Sequence, residues 1–475
     1  MHSTGGLDIA GLGPKDKKVR KDQLNPTLTT FLVSAPGKVI LFGEHAVVYG
    51  KTAIAAAISL RSYLLVTHRP KSCRTITLRF PDIGLDHSWR IDLLPWAAFS
   101  HPSKKNPYYK LVSTLDSELL EAIKPHLKDI SASSPSEARK VHQNAANCFL
   151  YLLLSLGSPS FPGCIYTLRS SIPIGAGLGS SASMSVCLST AFLFQIRALS
   201  GPHPDQPLHE ARLQVERINN WAFIGELCIH GNASGVDNTV AAQGKAVLFK
   251  RPDSQKPSVV TPLPSFPRLP LILVDTRQSK STAVEIAKVA LLKKLAPEIT
   301  DTLFEAIDKI TEKAVSLIKE GDPGADIKAN LHQWGLLMAI NHCILASLGV
   351  SHLRLERIRE LVDHTGIGWS KLTGAGGGGF AISLLDPSIP QERKKELESR
   401  LHREGYGCFE TTLGCNGVGV LWPAVLDPKT DGDAKGIDIT EEEFLSVAGQ
   451  FGVEELVGIQ SRTGESGWMF WASDA

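Results

Sequence analysis

A glycine-rich segment in the first half of the chain has the composition of a phosphate-binding loop. Its residues are Pro173, Ile174, Gly175, Ala176, Gly177, Leu178, Gly179, Ser180 and Ser181. Alternating glycines let successive backbone N–H groups point into one concavity, which a Cβ would obstruct. An apolar helical pattern follows the loop, and free N–H groups at a helix N-terminus attract anions. Ser180 and Ser181 could cap that helix and also offer hydroxyls to a phosphate or to Mg²⁺.

This glycine pattern has a structural alternative, a simple turn with a serine cap. The spacing is not G-x-G-x-x-G, because position 180 is serine, and no Gly-Lys-Ser/Thr follows as in a Walker A loop. Taken alone, the segment therefore leaves phosphate binding and a structural turn both open.

Two carboxylates and one lysine have the types that phosphoryl transfer to an alcohol needs: metal-bound phosphates, charge stabilisation and a base near the attacking oxygen. Glu226 lies in an amphipathic helical pattern, and Asp237 follows eleven residues later, after a turn-rich segment. Lys38 follows Pro36-Gly37 between two apolar strand patterns, where burial is costly without an anion. Singly, each residue has an alternative, namely a solvated helix face for Glu226, a helix cap for Asp237 and an exposed turn for Lys38.

Hydrophobic periodicity predicts the elements that must position these residues. Strands are predicted at residues 31–34, 39–42, 53–67, within 74–94, 164–168, 271–276, 381–385 and 417–422. Helices are predicted at residues 111–127, 138–156, from 181 onward, 210–230, from 236, 283–295, 299–320, 325–347, 353–364, 391–404 and 439–447. A proline-rich stretch at 251–270 indicates a domain boundary.

The composition limits the classes of partner. The chain has 475 residues, long for one core, and its net charge of +2 without long charged runs does not imply nucleic acid or an anionic membrane as a partner. Eight scattered cysteines without C-x-x-C pairing favour a reducing compartment over a zinc site or disulfide framework. The uncharged stretch 170–196 is broken by proline and glycines, so we expect a buried loop and helix and a soluble, cytoplasmic protein.

Three segments, in this order, resemble the three motifs of the GHMP kinase superfamily. They are residues 36–45, residues 175–183 and residues 371–379, the last reading Lys-Leu-Thr-Gly-Ala-Gly-Gly-Gly-Gly. Within that superfamily, Gly-Glu-His-Ala-Val-Val-Tyr-Gly-Lys at 43–51 and His-Gly-Asn-Ala-Ser-Gly-Val-Asp-Asn at 230–238 resemble the mevalonate kinase family. The similarity covers roughly residues 31–421. Any one motif alone would be weak, whereas the ordered set is highly specific.

The resemblance implies ATP-dependent phosphorylation of (R)-mevalonate on its C5 hydroxyl, within isoprenoid and sterol biosynthesis. Asp237 would accept the hydroxyl proton, and Lys38 would lower the pKa of that hydroxyl and stabilise the developing charge. Ser181 and Glu226 would hold Mg²⁺, while the loop at 173–181 would wrap the ATP phosphates.

Other residues are assigned by the same resemblance. Glu44, His45 and Thr282 would line the substrate site. Lys280 lies where the family often has a basic residue near the reaction centre, although its surroundings are less typical. The glycine run from Gly374 would shape the cleft and let two backbones approach closely, with simple domain packing as the alternative.

The resemblance also implies an α+β, two-domain GHMP kinase fold, with the active-site cleft between an N-terminal ATP-binding lobe and a C-terminal ferredoxin-like lobe. We predict a disordered head at 1–28, the N-terminal domain at 29–255, the C-terminal domain at 268–426 and an acidic accessory tail at 427–475. The family further implies a homodimer and feedback inhibition by prenyl diphosphates.

Two alternatives remain to be weighed. Phosphomevalonate kinase and homoserine kinase belong to the same superfamily, but the segments at 43–48 and 230–238 argue against both. A non-catalytic sensor on the same fold should have lost the base, the lysine or a metal ligand, and this chain keeps Lys38, Ser181, Glu226 and Asp237.

Overall fold

The computed structural model describes residues 30–203, 205–251, 258–320, 327–424, 439–459 and 467–471. The head predicted at 1–28 and the first part of the predicted tail, 427–438, lie outside these residues. Within the described residues, thirteen strands join into one sheet. No helix in the described ranges is both long enough and apolar enough to cross a membrane.

The strands and helices follow one another in a mixed order along the chain. The strands are β1 (Phe31–Phe42), β2 (Thr52–His68), β3 (Thr75–Phe80), β4 (Leu85–Arg90), β5 (Cys164–Ser170), β6 (Ala246–Lys250), β7 (Val259–Leu263), β8 (Leu269–Asp275), β9 (Gly368–Leu372), β10 (Phe380–Leu385), β11 (Gly407–Leu413), β12 (Gly419–Leu421) and β13 (Met469–Phe470). The helices are α1 (Trp96–Ser100), α2 (Ser117–Ile123), α3 (Ser136–Leu156), α4 (Ser180–Gln195), α5 (Leu208–His230), α6 (Val236–Gln243), α7 (Thr282–Leu295), α8 (Pro297–Glu320), α9 (Ile327–Ser347), α10 (Leu353–Val362), α11 (Gln391–Arg403), α12 (Glu441–Ser446) and α13 (Gly449–Val457).

The first strand is one continuous element and not two. The prediction of two strands around a turn at Pro36-Gly37 is wrong, because β1 pairs antiparallel with β2 on both sides of that dipeptide. The register shifts between Pro36 and Gly37, as in a β-bulge. Only glycine fits at 37, since a Cβ there would lie 2.8 Å from the carbonyl oxygen of Leu178. The bulge therefore brings the strand against the glycine-rich loop just before Lys38.

The N-terminal lobe is a sheet with a helical layer on one face. The far edge of β2 carries β6 at one end and β5 at the other, and β3 runs parallel to β5. Helices α3, α4 and α5 cover this face and share one apolar core with alternate residues of β1, β2 and β5. Helix α4 is buried from Ala182 to Gln195, as expected for a segment that is apolar all round.

The C-terminal lobe has the ferredoxin-like order that was expected. Its four strands β8, β9, β10 and β11 are arranged β11-β8-β10-β9, all antiparallel. The sequence prediction missed β6, β7, β9, β11 and β13. The helix predicted at 111–127 is wrong in extent, because the side chain of Asp116 caps α2 at its start and a 3-10 turn containing Pro125 follows it.

The end of the chain folds back onto the N-terminal lobe. Strand β12 pairs with β1, and β13 pairs with β12. Helices α12 and α13 cover the face of β1 and β2 opposite to α3–α5, where they share an apolar cluster that includes Tyr63, Phe444 and Trp468. The described part of the predicted tail is therefore packed against the same sheet that carries the glycine-rich loop.

Candidate active site

Lys38 and Asp237 meet beside the glycine-rich loop. Lys38 is 8 % exposed, and its Nζ lies 3.3 Å from Oδ2 of Asp237 and 3.1 Å from the carbonyl oxygen of Gly177. Asp237 is the second residue of α6, which starts after Gly235 in the left-handed conformation. Its side chain remains 34 % exposed, so a substrate hydroxyl can reach it. The structure thus brings together the lysine and the carboxylate that were predicted to be catalytic.

The loop between β5 and α4 is shaped by its glycines. Gly175, Gly177 and Gly179 all have positive φ, and a Cβ on Gly175 or Gly177 would project into open space. Gly179 instead packs on Lys38, whose Cγ would lie 3.1 Å from an added Cβ. The Lys38 N–H also donates to the carbonyl oxygen of Leu178, at 2.8 Å. The loop and Lys38 therefore hold each other in place.

The predicted serine cap of α4 is wrong. Gly179 is the N-cap residue, and no side-chain hydrogen bond caps this helix in the described structure. Ser180 and Ser181 are the first two residues of the helix and are partly exposed. Because the helix N-terminus keeps backbone N–H groups that no side chain caps, it provides donors and a positive dipole end for an anion at the loop.

Glu226 lies under the loop with one oxygen unused. It is 5 % exposed, and its Oε1 is buried without a hydrogen-bond partner among the described residues. Burial, and then the charge of Asp237, raise the pKa of Glu226 to about 7 against the opposing effects of Ser181 and Lys38. The Ser181 hydroxyl lies 3.1 Å from Nε2 of His230, which is 3.9 Å from Oε2 of Glu226.

This constellation fits Mg²⁺. A hydroxyl and a carboxylate are hard oxygen ligands of the kind Mg²⁺ takes together with substrate phosphates. A buried carboxylate oxygen that lacks a partner is a cost that a cation would remove. Within the described ranges no group of three or more His, Cys, Asp or Glu side chains could hold a metal.

Glu44, predicted to line the substrate site, is in a buried ion pair. It is 1 % exposed, contacts the ammonium of Lys371 on β9 and accepts a hydrogen bond of 3.1 Å from Nδ2 of Asn341 on α9. Burial raises the pKa of Glu44, and the neighbouring ammonium opposes that rise. Glu44 follows β1, whereas both partners belong to the C-terminal lobe, so the pair joins the two lobes.

His45 occupies a strained position next to that joint. Its φ is 60°, unusual for a residue other than glycine, and its Nε2 lies 2.8 Å from the carbonyl oxygen of Ala375. Burial lowers the pKa of His45. The backbone strain is of a kind that clusters at functional sites.

Lys280 borders the second glycine run. An added Cβ on Gly379 would lie 2.7 Å from Nζ of Lys280, and one on Gly376 would lie 2.1 Å from the carbonyl oxygen of Val350. These approaches are the close contacts expected of the glycine run. Burial and the charge of Lys38 lower the pKa of Lys280, so the two ammonium groups are electrostatic neighbours. Thr282 is the exposed first residue of α7.

Comparison with known proteins identifies the family. Residues 143–245 match the family model described as GHMP kinases N terminal domain, and residues 326–406 match GHMP kinases C terminal. A mevalonate kinase of Gibberella zeae is 60 % identical over 463 residues, covering 97 % of this chain and 91 % of that protein. A mevalonate kinase of Aspergillus fumigatus is 58 % identical, covering 99 % and 87 %.

The chain belongs to the mevalonate kinase family. The resemblance drawn from the three motifs is thereby confirmed, and so is the two-domain GHMP kinase fold. A solved mevalonate kinase of Methanococcus jannaschii matches with a TM-score of 0.54 at 25 % identity, covering 80 % of this chain and 98 % of that one. A mevalonate kinase of L. major, solved in complex with R-mevalonate, matches in fold with a TM-score of 0.56 at 23 % identity, covering 81 % and 96 %.

For this mevalonate kinase family member, sequence reasoning missed three polar residues near the site. Lys371 was predicted only as part of the third motif, and nothing local in the sequence of β9, Gly-Trp-Ser-Lys-Leu, indicates that it is buried. Asn341 lies in the apolar helix α9, and Glu285 lies against Gly377. Only the folded chain places Asn341 and Glu285 beside residues more than 80 positions away, so periodicity could not reveal them.

Proposed function

We propose that the chain transfers the γ-phosphoryl group of ATP to the C5 hydroxyl of (R)-mevalonate and forms 5-phosphomevalonate. The observation that carries the proposal is the 3.3 Å ion pair of Lys38 and Asp237 beside the glycine-rich loop. A base and a cation next to a phosphate-binding loop are the groups that phosphoryl transfer to an alcohol requires. The choice of mevalonate is supported by the two fungal relatives, which are named mevalonate kinases.

In this reaction Asp237 accepts the proton of the C5 hydroxyl as the oxygen attacks. Its partial exposure leaves room for the substrate, and its position on the first turn of α6 fixes the side chain. Lys38 is held by Gly177 and by Asp237, so its ammonium is oriented before the substrate arrives. From there it stabilises negative charge on the attacking oxygen and on the transferred group.

The loop glycines and the N-terminus of α4 bind the phosphates through backbone N–H groups. Ser181 and Glu226 would hold Mg²⁺ through a hydroxyl and the unpartnered carboxylate oxygen. When bound, Mg²⁺ neutralises charge on the phosphates. His45 and Thr282 remain proposed substrate contacts. Glu44 acts from a buried pair and would position His45, its neighbour in sequence.

The experiment that tests the proposal measures ADP release from MgATP with four acceptors at equal concentration: mevalonate, phosphomevalonate, homoserine and galactose. Turnover with mevalonate alone is the expected result. Turnover with another acceptor would keep the kinase and change its substrate. ATP binding without turnover on any of the four would contradict catalysis and favour a sensor.

The wider setting belongs to the same proposal. We place the reaction in the cytoplasm, in the pathway to isoprenoids and sterols, with a homodimer as the working assembly and with prenyl diphosphates competing for the phosphate loop. The eight free cysteines accord with a reducing compartment. Size-exclusion chromatography with light scattering tests the dimer, and inhibition competitive with ATP tests the prenyl diphosphates.

A further inference from the structure

One face of β5 is held by the C-terminal segment of the chain, which we define as residues 439–457. Strand β5 leads directly into the phosphate loop. Alternate side chains on a strand point to opposite faces, and Leu168 and Tyr166 face the helical layer. On the other face Thr167, Arg169 and Ser171 each bond to the C-terminal segment.

Arg169 is the centre of this attachment. It is 4 % exposed, and its guanidinium donates to the carbonyl oxygens of Phe444 at 3.0 Å and of Val447 at 3.2 Å. Its Nε donates to Oδ1 of Asp82 at 3.0 Å, and the other oxygen of Asp82 accepts from the backbone N–H of Ser170 at 2.7 Å. The Arg169 side chain thus ties β5 to the end of α12, and Asp82 links Arg169 to the last residue of the strand.

Ser171 and Glu454 make the contact nearest to the loop. The Ser171 hydroxyl lies 2.9 Å from Oε1 of Glu454, and the hydroxyl of Tyr63 donates to Oε2 at 2.8 Å. Ser171 also accepts from the backbone N–H of Arg61 at 2.8 Å. The carboxylate of α13 therefore joins Arg61 in holding Ser171, the residue just after β5.

Only three residues separate Ser171 from Gly175, and two of them limit the freedom of the chain. Pro173 has a fixed φ. Ile172 is 1 % exposed and packs where Gly37 passes, beside the Leu178 carbonyl that accepts from Lys38. A displacement of Ser171 is consequently passed to the phosphate loop with little loss.

We propose that the C-terminal segment 439–457 positions the phosphate loop, with Glu454 as the positioning residue. It touches no reacting group and acts through Ser171 on the path to Gly175. The inference rests on the proposed function, since it takes the loop to be the site of the ATP phosphates. The 167, 169, 171 pattern predicts a graded effect, strongest for the contact at Ser171 and weakest for the contact of Glu441 with Thr167.

The test compares Glu454→Ala, Glu454→Gln, Ser171→Ala and, as the matched control, Glu441→Gln in the full chain. Calorimetric titration with ADP and Mg²⁺ measures nucleotide affinity without any acceptor. Steady-state assays then give KM for ATP, KM for mevalonate and kcat. Thermal unfolding checks that each variant is folded at the assay temperature.

We expect Glu454→Ala to raise the Kd of ADP and the KM of ATP about tenfold, because a hydrogen bond to a charged group is lost. Ser171→Ala should lie close to it, while Glu454→Gln, which keeps an acceptor, and Glu441→Gln should stay within about threefold of wild type. KM for mevalonate and kcat should change little.

Several outcomes decide against the inference. Equal ADP affinity in wild type and Glu454→Ala would overturn it. So would a fall in kcat together with a rise in both KM values, all in proportion to the fall in melting temperature. Should Glu454→Ala fail to fold, Ser171→Ala, from which the hydroxyl alone is removed, decides the question. Failure of the wild type itself to bind ADP would instead overturn the proposed function.

Discussion

Glu44 and Glu226 are both nearly inaccessible to solvent, at 1 % and 5 % exposure, but their surroundings differ. Glu44 is paired with the ammonium of Lys371 and with the amide of Asn341. Glu226 has like charge nearby in Asp237, and its Oε1 has no hydrogen-bond partner among the described residues. Both oxygens of Glu44 have partners within the protein, whereas Oε1 of Glu226 has none among the described residues.

This difference in partners distinguishes Glu44, in an ion pair that joins the two lobes, from Glu226, in the proposed Mg²⁺ site. A buried charge whose partners are all protein groups has no free atom to bind a ligand, and breaking its pair destabilises the fold. A buried carboxylate with an unused oxygen costs stability until something binds it. Both residues follow a glycine in the sequence, at 43–44 and 225–226, and the family resemblance assigned both to the active site, Glu44 to the substrate and Glu226 to Mg²⁺.

The largest effect is expected for Asp237, the cleft carboxylate whose role arises in the transition state. Asp237→Asn should lower kcat by about 10²–10⁴-fold, the usual contribution of a general base, with a smaller change in substrate affinity. Steady-state kinetics measures this. Asp92→Asn, an exposed carboxylate paired with Arg74, is the matched control and should retain full activity. An unchanged kcat with a raised KM would make Asp237 a binding residue.

Breaking the ion pair of Glu44 and Lys371 between the two lobes should lower the stability of the fold. Lys371→Met leaves the buried Glu44 without its cation and should cost about 3–5 kcal/mol of unfolding free energy. Denaturant unfolding measures the loss. The double variant Glu44→Gln with Lys371→Met should recover most of it, because no unpaired charge remains. A double variant as unstable as Lys371→Met would mean that the pair itself, and not the stranded charge, supports the joint.

For Glu226 we expect the opposite effect, a gain in stability when its charge is removed. The fold raises the pKa of Glu226 from 4.5 to about 7. The protonated carboxyl therefore contributes stability at acid pH, and that contribution is lost as pH rises through about 7. At 1.36 kcal/mol per pH unit, the cost of the ionised form is about 3 kcal/mol at alkaline pH. Without Mg²⁺ or nucleotide, Glu226→Gln should therefore melt above the wild type at pH 8.5 by a margin that disappears near pH 5.

Melting curves from pH 5 to pH 8.5 measure this margin. The charged groups near Glu226 are Asp237, Lys38 and His230. His230→Gln serves as the control for an effect of the histidine, because its side chain is 51 % exposed beside Glu226. A margin for Glu226→Gln that stays constant with pH would contradict the assignment. In assays, the same variant should also weaken the dependence of activity on Mg²⁺ concentration.

The smallest effect concerns Gly179, which packs on the side chain of Lys38. Gly179→Ala places a methyl 3.1 Å from Lys38 Cγ at a φ of +77°, and Gly231→Ala meets open space at a φ of +71°. Both should lose about 1 kcal/mol of stability from the left-handed backbone. Only Gly179→Ala should lower kcat, because it displaces the lysine. Equal kcat values would show that Lys38 tolerates the displacement.

The sequence predicted the long elements and the ordered motifs, because apolar periodicity and glycine patterns are local. It predicted α3, α5 and α4 within two residues of their observed starts, and it placed Lys38 and Asp237 in one site. It missed β7 because prolines and polar residues at 251–270 hide short edge pairing, and it also missed the five-residue strand β6 that pairs with it. Whether a carboxylate is compensated depends on partners up to 327 positions away, as for Lys371 and Glu44, and no local pattern contains that information.

The pairing of β1 with β12 also affects how the chain folds during its synthesis. Residues 32–34 are made near the beginning, and their partners at 419–421 emerge only after nearly 400 further residues. Until then the edge of β1 has free N–H and C=O groups, which are a template for association with other chains. Contacts of such long sequence separation slow folding. Completion of the sheet in the N-terminal lobe thus waits for residues 419–421 to leave the ribosome, and a chain cut short before them should yield aggregates in place of a partly active kinase.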